Sequence, residues 1–258
     1  MDSVLSLCDI SVGYDGKEIL SDVNFVLSQG EIAVLIGANG SGKSTLLKTI
    51  AGVSQPLHGT IEIAGSPLET YGRRKLAGLL AVVFTDRNGG GDLTVEECVS
   101  LGRLPYTGPL RRLDDSDHSL IISAIKAVGL EDKITRKLAT LSDGERQKTM
   151  IARALAQQSK LIILDEPTAF LDVAGRYEIM ALLRRLASDG HSIILSTHDI
   201  APAIAVADKL LVLDKSVGRL FAGSKSEIIA SGAIDKAFTG NNLKFDPVKG
   251  DFTLQFPE

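Results

Sequence analysis

A glycine-rich loop between an apolar run and a helical pattern is the feature that most constrains the fold of this chain. Residues 31–36, EIAVLI, form the continuous apolar run that is typical of a strand buried on both faces. Residues 37–45, GANGSGKST, follow at once and fit the pattern G-x-x-x-x-G-K-[ST]. A helical pattern begins inside this loop and ends at Gly52. Strand, loop and helix in this order are the context that a phosphate-binding loop requires, so the sequence predicts a nucleotide site.

The residue types of the loop follow from the chemistry of phosphate binding. Glycines let the backbone wrap closely around phosphate groups, and the N–H groups at the start of a helix favour an anion. A lysine at position 43 reaches the β- and γ-phosphates, and a serine hydroxyl at position 44 ligates Mg²⁺. We therefore predict nucleotide contacts at Gly37, Asn39, Gly40, Ser41, Gly42, Lys43, Ser44 and Thr45.

Two acids end a second apolar run. In LIILDEP, residues 161–167, Asp165 and Glu166 directly follow the apolar residues. An acid at the carboxyl end of a buried parallel strand lies where α/β sheets bind ligands. We expect Asp165 to hold Mg²⁺ and Glu166 to polarise the attacking water. Taken alone, DEP is also a common start of a helix or turn, but the phosphate loop favours the catalytic interpretation.

A histidine follows the next predicted strand. The sequence STHD, residues 196–199, places His198 beside the predicted γ-phosphate site. A lone histidine at a strand end is more often a cap or a core residue. Next to a phosphate site it becomes a candidate γ-phosphate contact. The predicted catalytic residues are thus Glu166, His198 and Lys43.

Apolar runs alternate with helical patterns along the chain. Residues 3–36 are rich in strand patterns; further strands are predicted over 59–65, 79–84, 160–166, 191–197 and 209–214, and helical patterns over 94–140 and 144–157. This alternation of strand and helix implies a parallel sheet. We predict an α/β core that is interrupted by a helical insertion.

Charge and hydropathy give no support to two other classes of protein, nucleic-acid-binding proteins and membrane-spanning proteins. The formal net charge of −4 gives no whole-chain argument for nucleic-acid binding. The longest uncharged apolar run, residues 76–84, is far shorter than the roughly 20 residues that cross a bilayer. The N-terminal residues have no basic region and contain Asp2 and Asp9, unlike a secretory signal. We expect a cytoplasmic protein that contacts a membrane only through a partner.

The motifs, in this order, resemble those of the ATP-binding-cassette ATPases, from about residue 3 to residue 240. GANGSGKST matches the Walker A motif of that family, and LIILDEP matches Walker B with its catalytic glutamate. TAFLD matches the D-loop through Asp172, and STHD matches the switch histidine. Tyr14 matches the aromatic residue that stacks on adenine, although a core aromatic at a strand end is the alternative.

Residues 141–148, LSDGERQK, stand where the family has its signature motif, usually LSGGQ. On their own, Ser142 and Glu145 have the S-x-x-E spacing of a capping box at a helix start. The two interpretations are compatible, because a capped helix N-terminus also attracts anions. The resemblance implies that Ser142 and Gly144 bind the γ-phosphate of an ATP held by a second copy of the chain.

The resemblance also implies a fold and an assembly. The fold is α/β: a P-loop NTPase core with a parallel sheet, an N-terminal antiparallel β subdomain and a helical insertion subdomain. Residues 1–86 and 158–240 would form the core with the β subdomain, residues 87–157 the helical subdomain and residues 241–258 a β hairpin. The implied assembly is a homodimer with two ATPs and Mg²⁺ in its interface. By the same resemblance, ATP would close this dimer, hydrolysis would open it, and the helical insertion would bind a membrane partner.

A narrower resemblance concerns residues 93–108, LTVEECVSLGRLPYTG. They are similar to a stretch, T-V-x-x-x-V-x-x-G-R-x-P-Y, in the ATPases of importers of iron–siderophore complexes, haem and cobalamin. This implies a subunit that lies on the inner face of the cell membrane beneath two transmembrane permease subunits. An exporter ATPase and a soluble cassette ATPase without a transport role stay as alternatives, and the stretch could also be a simple turn after a helix.

One departure from the family pattern concerns the Q-loop. The family glutamine should follow the strand predicted over 79–84, but Thr85 and then Asp86 stand there. The Thr85 hydroxyl can still contact Mg²⁺ or water, with a shorter reach. The predicted metal ligands are therefore Ser44, Asp165 and Thr85, and a solvated turn is the alternative for residues 85–88.

The second departure places acids in the signature motif. Asp143 stands in place of a glycine and Glu145 in place of the glutamine. A carboxylate about 4 Å from a phosphate oxygen would cost several kcal/mol at an effective dielectric constant near 20. We therefore predict that Asp143 points away from the phosphate, toward Arg146 or into solvent.

Overall fold

Strands and helices alternate along the chain in a computed structural model, which describes residues 3–14, 16–84, 91–107, 112–238 and 243–254. The strands are β1 (Ser3–Tyr14), β2 (Lys17–Ser28), β3 (Ile32–Gly37), β4 (His58–Ile63), β5 (Ser66–Pro67), β6 (Leu80–Val83), β7 (Leu161–Asp165), β8 (Ser192–Ser196), β9 (Lys209–Asp214), β10 (Arg219–Ser224), β11 (Leu243–Asp246) and β12 (Asp251–Leu254). The helices are α1 (Lys43–Ile50), α2 (Arg73–Ala77), α3 (Val95–Ser100), α4 (Asp115–Ala127), α5 (Asp143–Ala156), α6 (Val173–Ser188), α7 (Ile200–Val206), α8 (Lys225–Ala230) and α9 (Ala233–Ala237).

Within the described ranges, ten strands form one sheet in the order β5-β4-β1-β2-β10-β9-β3-β8-β7-β6. Strands β9, β3, β8, β7 and β6 pair in parallel, whereas β1, β2, β4 and β5 pair with one another in antiparallel fashion. A single residue pair, Arg219 with Ser21, joins β10 to β2. The predicted α/β fold, with a parallel core and an N-terminal antiparallel part, is confirmed.

Strand β3 is buried on both faces, as its continuous apolar sequence predicts. Val34 and Ile36 belong to a core on one face of the sheet, where α4 to α7 pack. Ala33 and Leu35 belong to a second core on the other face, between α1 and the N-terminal strands. The loop after β3 is therefore held between two packed layers.

The helical insertion leaves and re-enters the sheet between neighbouring strands. Strands β6 and β7 pair in parallel, and the chain between them carries α3, α4 and α5. Their apolar sides join the first core through Val95, Val99, Ile121, Ile125, Ile151 and Leu155. Every helix within the described ranges is too short or too polar to span a bilayer.

Strand β10 is not predicted from the sequence pattern, because its side chains are mostly half-buried and do not alternate clearly. It runs antiparallel to β9 at the edge of the parallel core. The C-terminal strands β11 and β12 form a separate antiparallel pair. Phe252 on β12 makes edge contacts with Phe238 and Phe245, at centroid distances of 5.1 and 5.6 Å.

Arg103 ties the LGRLPY segment to two helices. Its guanidinium Nε is 2.7 Å from a carboxylate oxygen of Asp117 on α4, and the two side chains are only 6% and 9% exposed. The same guanidinium donates to the Ala156 carbonyl at the end of α5 (2.9 Å) and lies 4.0 Å from the ring centre of Tyr106. The segment is thus fixed to the far end of the helix that starts at the signature motif.

The buried ion pair predicts a stability effect. Asp117→Asn should lower the free energy of unfolding by about 3 kcal/mol, because it leaves the Arg103 charge buried without its counter-charge. Asp115→Asn is the matched control, since Asp115 lies in the same helical turn but is exposed. Urea unfolding of both variants checks this expectation. Equal stability of the two variants would show that the ion pair is not important for folding.

Candidate nucleotide site

The loop from β3 to α1 adopts backbone conformations that favour glycine. Gly40 has a φ of 71° and Gly42 a φ of 102°, both in the region that residues with a Cβ rarely adopt. A Cβ at Gly42 would also lie 3.0 Å from the Ile19 side chain. These constraints account for the glycine-rich sequence of the loop.

Lys43 lies inside this loop. Its ammonium donates to the Gly37 carbonyl (2.9 Å) and to the Ala38 carbonyl (3.4 Å), and its side chain is only 7% exposed. Burial lowers the pKa of Lys43, and the nearby carboxylates of Glu166 and Asp165 partly oppose this shift. The loop therefore holds a buried cation at the helix start, where a phosphate would bind.

Asp165, the last residue of β7, meets two hydroxyl groups. Ser44 on α1 donates to its Oδ1 (3.1 Å), and so does Ser196 at the end of β8 (2.5 Å). Ser44 and Asp165 thus supply two adjacent oxygen atoms, the ligand type that Mg²⁺ prefers. Among the described residues, no group of three or more His, Cys, Asp or Glu side chains is arranged to hold a metal ion. The oxygen pair fits a Mg²⁺ that also uses phosphate and water ligands.

Glu166 follows directly and stands between two partners. Its Oε2 is 2.7 Å from Nδ1 of His198 and accepts from the His198 backbone N–H (3.3 Å). Its Oε1 is 4.0 Å from the Lys43 ammonium. Glu166 has a φ of 50°, which for a residue with a side chain costs on the order of 1 kcal/mol or more. The fold therefore places the carboxylate at the edge of the loop at some cost in strain.

Ser142 begins α5 and forms the capping box that its spacing predicts. The Ser142 hydroxyl accepts from the Glu145 N–H (3.3 Å), and the Glu145 carboxylate accepts from the Ser142 N–H (2.9 Å). Asp143 is largely exposed, with one oxygen 3.8 Å from Arg146. This is the direction that the sequence predicts for it, and its position relative to a phosphate stays a prediction. Gly144 has open space on the side where a Cβ would lie, apart from its own helix and chain neighbours, and it lines the cavity described next.

A cavity of about 460 Å³ opens beside this helix start. One wall is residues 142–145, and the other is formed by Phe170, Leu171 and Asp172 with the first turns of α6. Asp172 caps α6 by accepting from the Gly175 N–H (2.7 Å). As far as the chain is described, no residue of the 37–45 loop lines this cavity. This cavity therefore contains the signature-motif half of the predicted site without the phosphate-loop half.

A comparison with known families identifies the chain. A family model described as "ABC transporter" matches residues 20–169. The chain belongs to this family. Membership confirms the predicted ATP binding and ATPase activity, and the roles of the individual site residues stay predictions.

Relatives of this ABC ATPase extend over almost its whole length. An uncharacterised ABC transporter ATP-binding protein of Methanocaldococcus jannaschii is 38% identical over 96% of this chain and 85% of its own. The iron(3+)-hydroxamate import ATP-binding protein of Bacillus subtilis is 33% identical over 91% of this chain and 87% of its own. A solved structure described as a metal-chelate type ABC transporter in an inward-facing conformation is 30% identical, covers 92% of this chain and 89% of its own, and has a TM-score of 0.80.

A buried network in this ABC ATPase is not predicted from the sequence. Asp199 accepts from the Thr168 hydroxyl (2.5 Å) and pairs with Arg176 (2.6 Å), and Arg176 also donates to the Leu171 carbonyl (3.0 Å). The network ties the segment of His198 to the D-loop residues 168–172. The sequence signal for this network was Asp199, the acid that follows His198, because a buried acid needs partners.

Three residues for which the sequence predicts a role lie wholly or partly outside the described part of the structure. Thr85, predicted as a metal ligand, and Asp86 are not among the described residues. Tyr14 is the last residue of β1 and pairs with Lys17, but its side chain is also outside the described part. Their predicted roles stay predictions.

Proposed function

We propose that this ABC ATPase is the energy-coupling subunit of an importer for iron–siderophore, haem or cobalamin-type substrates. It acts as a homodimer, at the cytoplasmic face of the cell membrane, beneath two transmembrane permease subunits. The named relatives support import of a metal chelate. The feature of this chain that carries the proposal is the LGRLPY segment, residues 101–106. It joins an exposed apolar surface to α5, the helix that begins at the signature motif.

The apolar surface of this segment suits a membrane partner. Leu101, Leu104 and Tyr106 are three large apolar side chains close together in sequence, and they are 40%, 43% and 41% exposed. Exposed apolar patches often mark sites of protein–protein interaction. The Tyr106 hydroxyl donates to the Gln157 carbonyl just after α5 (2.7 Å), and Arg74 donates to the Pro105 carbonyl (2.6 Å). A permease helix docked here would press on a segment that is fixed to α5, and α5 would transmit the movement to Ser142.

The proposed chemistry assigns each residue a role at the γ-phosphate. The backbone of the 37–42 loop and the Lys43 ammonium bind the β- and γ-phosphates, and Ser44 with Asp165 holds Mg²⁺. Mg²⁺ supplies charge neutralisation of the phosphates when it is bound. Glu166 accepts the proton of the attacking water, and His198 orients the Glu166 carboxylate through its Nδ1 contact.

The separation of the two halves of the site supports the proposed homodimer. Ser142 and Gly144 at the start of α5 offer a hydroxyl and an N–H group to an anion, but they line a cavity apart from the Lys43 loop. A second copy placed head to tail brings its own ATP to these groups. Each copy then completes the active site of the other.

Purification of the tagged chain from its native membranes tests the proposal. We expect a permease with several membrane spans to co-purify in equal amount with this subunit. Uptake of a radiolabelled iron–siderophore, haem or cobalamin by vesicles that carry the complex then identifies the substrate. A soluble partner, or export in place of uptake, would contradict the proposal.

The docking surface gives a specific prediction. Leu104→Asp should lower permease co-purification at least tenfold, because it places a charge in the apolar contact. Nucleotide binding should stay unchanged, since Leu104 makes no contact with the 37–45 loop. Val26→Asp is the matched control, because Val26 on β2 is 51% exposed and lies outside the helical insertion. If both variants retain the permease equally, the partner docks elsewhere.

A further inference from the structure

Glu145, the acid in place of the family glutamine, has both carboxylate oxygens engaged. Its Oε1 is 2.5 Å from the ammonium of Lys133, which ends the short 3-10 helix Glu131–Lys133. Its Oε2 accepts from the Ser142 backbone N–H (2.9 Å). Both side chains of the Lys133–Glu145 pair are about a quarter exposed. One carboxylate oxygen thus closes the capping box, and the other pairs with Lys133 from the preceding segment.

Protonation does not remove this negative charge near neutral pH. The hydrogen bonds from Lys133 and from the Ser142 backbone lower the pKa of Glu145 to about 2. An ionised carboxylate therefore stays within the same helix turn as the groups that face the cavity. Its repulsion of an incoming phosphate is reduced only if a cation stays beside it.

Two other acids around the cavity also lie near basic side chains, whereas the third, Asp172, accepts from the Gly175 N–H. Glu178 on α6 is 2.9 Å from Lys148, and Asp143 is 3.8 Å from Arg146. Of these pairs, Lys133–Glu145 has the shortest contact and the lower exposure of the acid. It is also the pair that holds the cap at Ser142. Lys133 is therefore the cation that pairs with the acid of the capping box.

We propose that Lys133 is a positioning residue for ATP-driven dimer closure. Its ammonium compensates the charge of Glu145 and holds Glu145 in the capping box. Ser142 and Gly144 can then donate hydrogen bonds to the γ-phosphate of a second copy's ATP. This inference rests on the proposed function, because it needs the head-to-tail dimer. It explains how an acid can occupy this position in a motif that binds a polyanion.

The test uses the full chain with Glu166→Gln, which removes turnover, and measures dimer formation against ATP concentration by sedimentation velocity. Lys133→Met should raise the ATP concentration for half-maximal dimerisation about fivefold, the effect of one partly exposed charge pair. Lys133→Arg should restore it, since the guanidinium keeps the charge. Glu145→Gln combined with Lys133→Met should also restore it, because the charge at position 145 that Lys133 compensates is then absent.

Two controls separate this role from a structural one. Binding of a fluorescent ATP analogue to the monomer should be equal in all variants, because Lys133 makes no contact with the 37–45 loop. The midpoint of thermal unfolding reports whether Lys133→Met is folded. Unchanged dimerisation of Lys133→Met, or failure of the double variant to recover, would overturn the inference while leaving the dimer in place. If the Glu166→Gln parent itself does not dimerise with ATP, the proposed assembly is wrong and the inference is wrong with it.

Discussion

Glu166→Gln is expected to abolish ATP turnover, leave ATP binding intact and trap a closed dimer. The Glu166 carboxylate lies between His198 and Lys43. In the proposed mechanism it accepts the proton of the water that attacks the γ-phosphate. An amide has nearly the same shape but cannot accept the proton of that water. The loss of a general base typically lowers the rate about 10²- to 10⁴-fold. Phosphate release measures the turnover, and sedimentation velocity with ATP measures the dimer.

Glu69→Gln provides the matched control for this variant. Glu69 is an exposed acid in the short helix after β5, and its loss should leave the rate unchanged within about twofold. Normal turnover in Glu166→Gln would remove Glu166 from the proposed mechanism. Loss of nucleotide binding in that variant would indicate a binding role for the carboxylate.

Lys43→Ala is expected to weaken ATP binding by about 10- to 100-fold, the range for hydrogen bonds to a charged group. The Lys43 ammonium is buried in the loop and holds the Gly37 carbonyl, so its removal takes away both the local positive charge and an anchor of the loop. Calorimetric titration with ATP measures the affinity. The midpoint of thermal unfolding checks that the variant is folded.

Lys48→Ala is the corresponding control for the phosphate loop. Lys48 lies on the same helix, one turn beyond Lys43, near its C-terminal end. Its removal should leave the ATP affinity unchanged, because it lies away from the start of the helix. Equal affinity in Lys43→Ala and the unmodified protein would contradict the assigned phosphate contact.

Local sequence patterns predicted the central part of the site because its residues are adjacent in the chain. Strand β3, the glycine-rich loop and α1 follow one another without interruption, so their order alone fixes where Lys43 lies. Asp165 was predictable in the same way from the end of an apolar strand. The contact of Ser44 with Asp165 joins residues far apart in sequence, and the chemistry of their two motifs indicated it by placing both at Mg²⁺.

The partners of the site residues could not be predicted, because they depend on packing between distant segments. Lys133 meets Glu145 only because the short helix Glu131–Lys133 folds back against the start of α5. Asp199 meets Arg176 because Asp199 directly precedes α7, which packs against α6. Neither pair has a characteristic spacing in the sequence. Likewise, β10 has a weak pattern, and its pairing with β9 defines it.

The left-handed backbone at Glu166 limits which mutations this position tolerates, independently of catalysis. With a φ of 50°, β-branched residues such as valine or threonine are disfavoured there, whereas asparagine and glycine adopt this conformation with less strain. Random mutagenesis followed by selection for folding alone should therefore enrich glycine and asparagine at position 166. Selection for activity should retain glutamate. The difference between the two selections would separate what the backbone requires from what the reaction requires.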